Sequence, residues 1–598
     1  MLRSKSEGVL FKTGLMVAVS AALLVGCGGG GGGDSASSST GSAGSSNLQS
    51  VGAAPANDLE AHRFLTQATF GATSSDISRV KAIGYERWID EQLATSLQTS
   101  HLAMAEASHN ALQTDQPRAA DVVYSWWTHA VNDPAQLRQR IAFALSEIFV
   151  VSTVDTGLSQ HGRMVASYLD MLTGKVDGNY RDLIEGVALH PAMGIYMSHL
   201  SNRKEDTVTG RTPDENFARE IMQLMSIGLY ELNDDGSLKL DNGQPKETYT
   251  SNDVKGMARV FTGWSWYQPP AKAGLAWWMC YVRTTQCQDD SQLVTAMSPY
   301  AQEHSVSAKT FLGTTIPAQS TADPRGDLRI ALDRLASHPN TAPFISKQLI
   351  QRLVTSNPSP TYVADITAQF RTSSGNIKAV VKAILMHPEA RNLAQQNVTT
   401  YGKLREPVLR LAHVLRAVPH TSDTYLAART NGAMPFYLAS STDDPATQLG
   451  QTPMNSPSVF NFFRPGYAPP QTTLSTHSMV SPEMQITNET SVLGYANFLA
   501  SGLENGMGQY NATSRQMDIR FDLSAWQPLA DQPRAAQPQA LISAVAKQIL
   551  GGPAPTTLND QMVSTIGHMA IATTQDRRRR VQAAILMIAV SPDFIVQQ

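Results

Sequence analysis

The chain has 598 residues, a formal net charge of −3 and charged side chains at only 16% of its positions. A composition this poor in charge excludes a nucleic-acid binder that relies on phosphate contacts, and it implies a surface of uncharged polar groups. The length exceeds one average domain and is enough to bury a large core.

The N-terminus carries Arg3, Lys5 and Lys12, then an apolar run from Leu15 to Val25, then Leu24-Val25-Gly26-Cys27. This is the layout of a secretory signal ending in a lipobox, and the apolar run is too short to span a bilayer, which takes about 20 residues. Residues 1–27 are therefore expected to be a signal peptide with Cys27 as the lipidated new N-terminus, similar to bacterial lipoprotein signals. Gly28 follows the cysteine where lipoproteins kept at the inner membrane often have Asp, so the resemblance favours an outer-membrane anchor in the cell envelope. Glycines, serines and alanines dominate the following stretch, so residues 28–57 read as a flexible tether.

From residue 58 to 598 the pattern is mainly helical, read as one large helical unit or two lobes sharing it, and the fold class expected is all-α with few short strands. The expected helices include Asp58–Gln67, Ser74–Gln92, Ala119–Val131, Pro134–Val150, Tyr180–Leu189, Ser251–Phe261, Thr341–Leu353, Ile377–Met386 and Arg405–Ala417. Three helices finish on His-Pro, at His190, His338 and His387, where a histidine in the last turn would offset the negative helix end and the proline would stop the helix.

The most informative helix is expected over Pro213–Ile227. Thr212 suits an N-cap, Pro213 the first helical position, Glu215 the third helical position that completes a Thr-x-x-Glu capping box, and Gly228 the left-handed residue beyond the last turn. Glu215 and Arg219 stand at i,i+4 and need no functional explanation. Asn216 and Glu220 fall at the border of the apolar stripe formed by Phe217, Ile221, Leu224 and Met225, where a carboxylate needs a partner. Two readings stand for that edge: hydrogen bonds between helices, or a catalytic or ligand-binding arc.

Farther along, Glu231-x-Asn233-x-Asp235-Gly236 begins like a calcium loop but has Asn242 where the closing acid belongs, so an Asx-rich turn is expected and no metal site is predicted. The long loop from Trp264 to Leu312 concentrates Trp264, Trp266, Trp277 and Trp278, which either cover the helical core or stack a ligand ring. In an exported, oxidising setting Cys280 and Cys287 read as a disulfide. A second long loop, Pro419–Glu483, is rich in proline and aromatics; loops of such length are functional or well packed. The basic run Arg577–Arg580 precedes a helical apolar period and reads as the solvated start of a helix. Zincin, phosphate-loop, thiolate-metal and Gly-x-Ser-x-Gly signatures do not occur, and no cofactor is specified.

Several segments taken together carry a family resemblance. They are Phe64-Leu-x-x-Ala68-Thr69-Phe70-Gly71, Arg140-x-x-Phe143-Ala144-Leu145-Ser146, Asn179-Tyr180-Arg181-Asp182-Leu183 with His190-Pro191-Ala192-Met193, Asp214-Glu215-Asn216-Phe217-Ala218-Arg219-Glu220, Asp253-Val254 with Ala258-Arg259-x-Phe261-Thr262-Gly263-Trp264, and Lys347-Gln348-Leu349. The series resembles the bacterial family catalogued as domain of unknown function 1800, from about Leu59 to the C-terminus. The resemblance implies an exported, mainly helical protein without an established activity, whose genes often lie beside those of secreted proteins similar to sulfatases or alkaline phosphatases. The chain departs from the common pattern with Gln223 for Glu, Met225 for His and Ser305 for an acid after Glu303-His304, which weakens any metal site built there.

Two functions follow as expectations. The first is a lipid-tethered binding or scaffold protein that holds an exported sulfatase- or phosphatase-like partner, or a glycan, at the membrane surface. The alternative is an envelope hydrolase with Glu220 as general acid or base, His304 as a second proton carrier, Asp214, Asn216 and Arg219 orienting the substrate, and Trp264 as a stacking wall.

Overall fold

The computed structural model describes residues 53–392, 394–395, 398–531 and 538–598. Cys27, the leader and nearly all of the tether lie outside the described residues.

Short polar side chains start many of the helices, because each supplies an acceptor to a backbone N–H that the first turn leaves unpaired. Asn57 caps Asp58–Ala68, Asn179 caps Tyr180–Leu189, and Asn376 caps Ile377–Met386. Thr250 and Asp253 form a reciprocal capping box on Ser251–Val260. One expected helix is two: Ser74–Ile83 and Tyr85–Ala94 are separated by Gly84 at φ +84°. A Cβ at Gly84 would lie 2.6 Å from the Ala53 carbonyl oxygen, so the kink is fixed by a contact from outside the helix.

The three His-Pro histidines differ in role from the expectation. His190 Nδ1 accepts the N–H of Ala192, His338 Nδ1 that of Asn340, and His387 Nδ1 that of Glu389, at 3.1–3.2 Å. They cap the turn that follows, and do not compensate the helix before. A nitrogen that accepts a backbone N–H must be unprotonated there, and burial lowers all three, His190 to about 3 and His338 to about 4.

The fold is predominantly helical, with short antiparallel strands. Ala119–Asn132 packs on His101–Leu112, Gly162–Lys175 and Pro407–Ala417, while Thr341–Leu353 packs on Pro360–Thr372. Toward the C-terminus Thr574–Ala589 packs on Gln539–Leu550, Thr556–Gly567 and Glu489–Asn505. Helices are not the whole of it, because Gln516–Phe521 lies between His420–Ser422 and Met507–Asn511 in a three-stranded sheet. One apolar core runs from Ala61 to Phe594. The C-terminal residues meet the Asp58–Ala68 helix: Val596–Gln597 pairs with Lys403–Leu404, and Arg63 Nε donates to the Gln598 carbonyl oxygen at 2.7 Å.

Among the described residues no helix is long and apolar enough to cross a membrane.

Candidate functional site

The helix expected over Pro213–Ile227 spans Asn216–Gln223. Its start is set by a residue distant in sequence: Asn202 Oδ1 accepts the Asp214 N–H at 2.9 Å and Asn202 Nδ2 donates to the Asp214 carbonyl oxygen at 3.1 Å. Held in that way, Asp214 turns its own carboxylate onto the Asn216 N–H at 2.8 Å, and the Thr212 cap and Glu215 capping box do not form. Gly228 does take the left-handed conformation, φ +72°. Arg219 Nη2 and Glu215 Oε2 make the i,i+4 pair at 3.2 Å with both side chains well exposed, so the pair adds little to stability.

The edge singled out in the sequence divides here. Asn216 is exposed and donates to the Met197 carbonyl oxygen at 3.2 Å. Glu220 is buried and its Oε2 has no hydrogen-bond partner among the described residues. Burial raises its carboxyl above the usual range, with Arg219 pulling the other way, and the Tyr249 phenol lies within its electrostatic reach.

Trp264 and His304 lie in the interior. Trp264 is 1% exposed, in a two-residue strand paired with Ser298–Pro299, and so offers no face to a ligand at the surface. His304 faces acceptors with both ring nitrogens, the Thr262 carbonyl oxygen at 2.7 Å and Asp327 Oδ2 at 2.9 Å. Lys309 Nζ joins the same carboxylate at 2.8 Å. With both nitrogens engaged, the ring has none left for a substrate. Cys280 and Cys287 are joined as a disulfide, and with Tyr281 and Tyr300 they form a small core of their own beneath Trp277. Glu231 is paired with Lys246 at 2.7 Å, and Asp235 accepts the Ser237 N–H at 2.9 Å in an Asx turn.

Two other places gather chemistry that the sequence reading passed over. The first is a buried charge centre. Arg140 donates through Nη2 to the Arg352 carbonyl oxygen at 2.7 Å, Arg352 meets Glu147 at 3.4 Å, and Lys403 meets Glu483 at 3.0 Å. Glu406 accepts from Gln451 Nε2 at 2.7 Å and Glu147 from Asn461 Nδ2 at 3.0 Å. Here the Arg140–Ser146 segment and the long loop Pro419–Glu483, through its Gln451 and Asn461, come together. The available signal was an ionisable residue, Glu147, inside the apolar run Phe143–Val151. Burial and the Glu406 carboxyl push Glu147 up to about 8, against the pull of Arg352 and Lys403.

The second is a groove of about 510 Å³ between the end of Glu489–Asn505, the Met507–Asn511/Gln516–Phe521 hairpin and the Thr574–Ala589 helix. Arg515, Arg520 and Arg578 face it together with Tyr510, a residue 60% exposed, and Glu504. Asp423 holds Arg520 in a two-point pair at 2.6 and 2.8 Å, which fixes that guanidinium in place. The basic run is thus only partly a solvated helix start: Arg578 lines the groove, whereas Arg580 is buried and donates to the Ala530 carbonyl oxygen at 2.8 Å. Among the described residues that line the groove there is no serine, threonine, cysteine or histidine.

Among the described residues no group of three or more His, Cys, Asp or Glu side chains is placed to hold a metal ion. A family model described as "Protein of unknown function (DUF1800)" matches residues 63–596. No curated protein and no solved structure matches the chain.

Proposed function

We propose that this chain, which belongs to the DUF1800 family of proteins of unknown function, is a lipid-anchored binding or scaffold protein of the bacterial cell envelope. The observation that carries the reading is the 510 Å³ groove, in which arginines and an exposed tyrosine line a space large enough for a ligand. Guanidinium groups match carboxylate and sulfate in a planar, two-point geometry, and a tyrosine face stacks a sugar ring. The ligand class is an anionic glycan, free or carried by an exported sulfatase- or phosphatase-like partner. Lipidation of Cys27 and the tether at residues 28–57 place the groove at the membrane surface, with the outer membrane favoured.

The test is cosedimentation of the full-length lipidated chain with alginate, dextran sulfate and neutral dextran. Binding to the two polyanions that weakens with added salt is the expected result. Equal recovery with all three, or with none, overturns the reading.

A second reading, an envelope hydrolase using Glu220, draws support from one observation: that buried carboxyl has an oxygen without a partner. Glu220→Gln separates the two. Loss of a hydrolytic activity at unchanged thermal stability supports it, whereas a stability change alone counts against it.

A further inference from the structure

The Asp58–Ala68 helix carries buried positive charge without a balancing side chain. Arg63 and Gln67 stand one turn apart on it, so their side chains leave the same face. Arg63 Nη1 donates to the Ala390 carbonyl oxygen and its Nε to that of Gln598, both at 2.7 Å. Arg391, which follows Ala390 and ends the short Pro388–Arg391 helix, donates through Nη2 to Gln67 Oε1. These contacts gather both guanidiniums against one face of the first helix. The Arg63 guanidinium lies 5.9 Å from the centre of the Tyr401 ring, and that of Arg391 lies over Phe64 and Tyr85 at 4.9 and 5.5 Å. Arg63 is within electrostatic reach of Arg391, and the same three phenols, Tyr85, Tyr362 and Tyr401, lie within reach of both.

Arg63, Gln67, Arg391 and Tyr401 are 5, 0, 7 and 7% exposed, so water does not solvate them freely. Among the described residues neither guanidinium meets a carboxylate side chain at ion-pair distance, and Arg63 Nη2, Arg391 Nε, Gln67 Nε2 and the Tyr401 hydroxyl have no hydrogen-bond partner. Glu389, beside this group in sequence, is taken up by Ser359, whose N–H it accepts at 3.1 Å and whose hydroxyl it also accepts. Arg391 stays uncompensated even where the Gln598 oxygen belongs to a terminal carboxylate. Ring faces and main-chain oxygens lessen the cost of burying a guanidinium but do not replace a counter-charge. Orphaned donors in such a place mark an acceptor that the protein itself does not supply.

We propose that Arg63, Gln67, Arg391 and Tyr401 bind one small monoanion, chloride, between the first helix and the Pro388–Arg391 turn. The unpartnered groups are three N–H donors and a hydroxyl, a set that repels a cation. Arg63 has only Nη2 left, and on Arg391 the Nη2 that flanks Nε is engaged with Gln67. Neither therefore keeps the free two-nitrogen edge that a planar carboxylate or a sulfate takes. A spherical ion accepts single donors from any direction and fits what remains. The ion neutralises the buried charge and fastens the first helix to the segment that carries Arg391 and Tyr401.

The test joins thermal melting of the full chain to a crystal soaked in bromide, which replaces chloride and scatters anomalously. Melting is followed in sodium chloride and in sodium gluconate of equal ionic strength, so that screening is common to both. Chloride should raise the melting temperature by about 2 °C for each tenfold increase above its dissociation constant, and gluconate should not. That dependence should be lost in Arg391→Met, which removes the charge that needs the ion. The bromide peak should lie between Arg63 Nη2 and Arg391 Nε. Equal melting curves in the two salts, a chloride dependence unchanged in Arg391→Met, or a bromide peak found only in the arginine groove or nowhere would overturn the proposal. The crystal reads the site in the wild-type chain even where the variant fails to fold.

Discussion

At the scale of single residues, burial governs the protonation of the three His-Pro histidines and of Glu220. His190, His338 and His387 are kept neutral so that each can accept a backbone N–H at the start of a new turn. Their folded-state values lie below that of a free histidine, so the stability they contribute is present above about pH 6.5 and is lost as the pH falls toward 4 and below. His387→Ala should therefore cost about 1 kcal/mol at pH 7.5, and the gap to the wild-type chain should narrow on acidification. Chemical denaturation at pH 7.5 and 4.5 reads both; a gap that widens at low pH contradicts the capping role. Glu220 obeys the opposite sign. Its carboxyl is raised, so its favourable neutral form is lost as the pH climbs above the ordinary carboxylate range, and the advantage of Glu220→Gln over wild type should grow from pH 5 to pH 8. Melting curves at the two pH values check this, and a constant difference would mean that Glu220 stays ionised throughout.

At the scale of elements, several helices were legible from local periodicity and capping residues. Tyr180–Leu189, Thr341–Leu353 and Ile377–Met386 stand where periodicity places them, and Asn179 and Asn376 are the caps that start two of them. The Pro213–Ile227 reading was too long because Asn202, remote in sequence, takes hold of the Asp214 backbone before Thr212 can act as a cap. Likewise a glycine inside an apolar period reads as helix until a contact with Ala53 reveals the break at Gly84. Although the helix itself ends earlier, at Gln223, Gly228 takes the left-handed conformation expected of it. A Cβ there would come within 2.6 Å of the Phe344 ring, in a conformation that alanine also disfavours. Gly228→Ala should destabilise by at least about 1 kcal/mol, lowering the melting temperature by a few degrees. An unchanged melting temperature would show that the Asn216–Gln223 helix does not depend on this closure.

At the scale of the whole molecule, the two places that gather chemistry are assembled from segments far apart in the chain. The Glu147 charge centre joins residues near position 146 to a loop some 300 positions later, and the groove joins a helix end, a hairpin and the last long helix. No local pattern announces such meetings, which is why Trp264 and His304 looked more promising in the sequence than they are in the fold. Trp264 serves packing, and His304 serves buried hydrogen bonds to the Thr262 carbonyl and Asp327. The groove residues carry weaker individual signals: Arg515 sits in a polar turn and Arg578 in a basic run that suggested only a solvated helix start. The central claim is that this groove holds an anionic glycan at the membrane surface. Its most direct test is calorimetric titration of alginate into the full chain and into the Arg515→Ala/Arg578→Ala double variant at low salt. The account predicts at least tenfold weaker binding by the variant, about 1.4 kcal/mol, at an unchanged melting temperature. Equal affinity of the two proteins would contradict it.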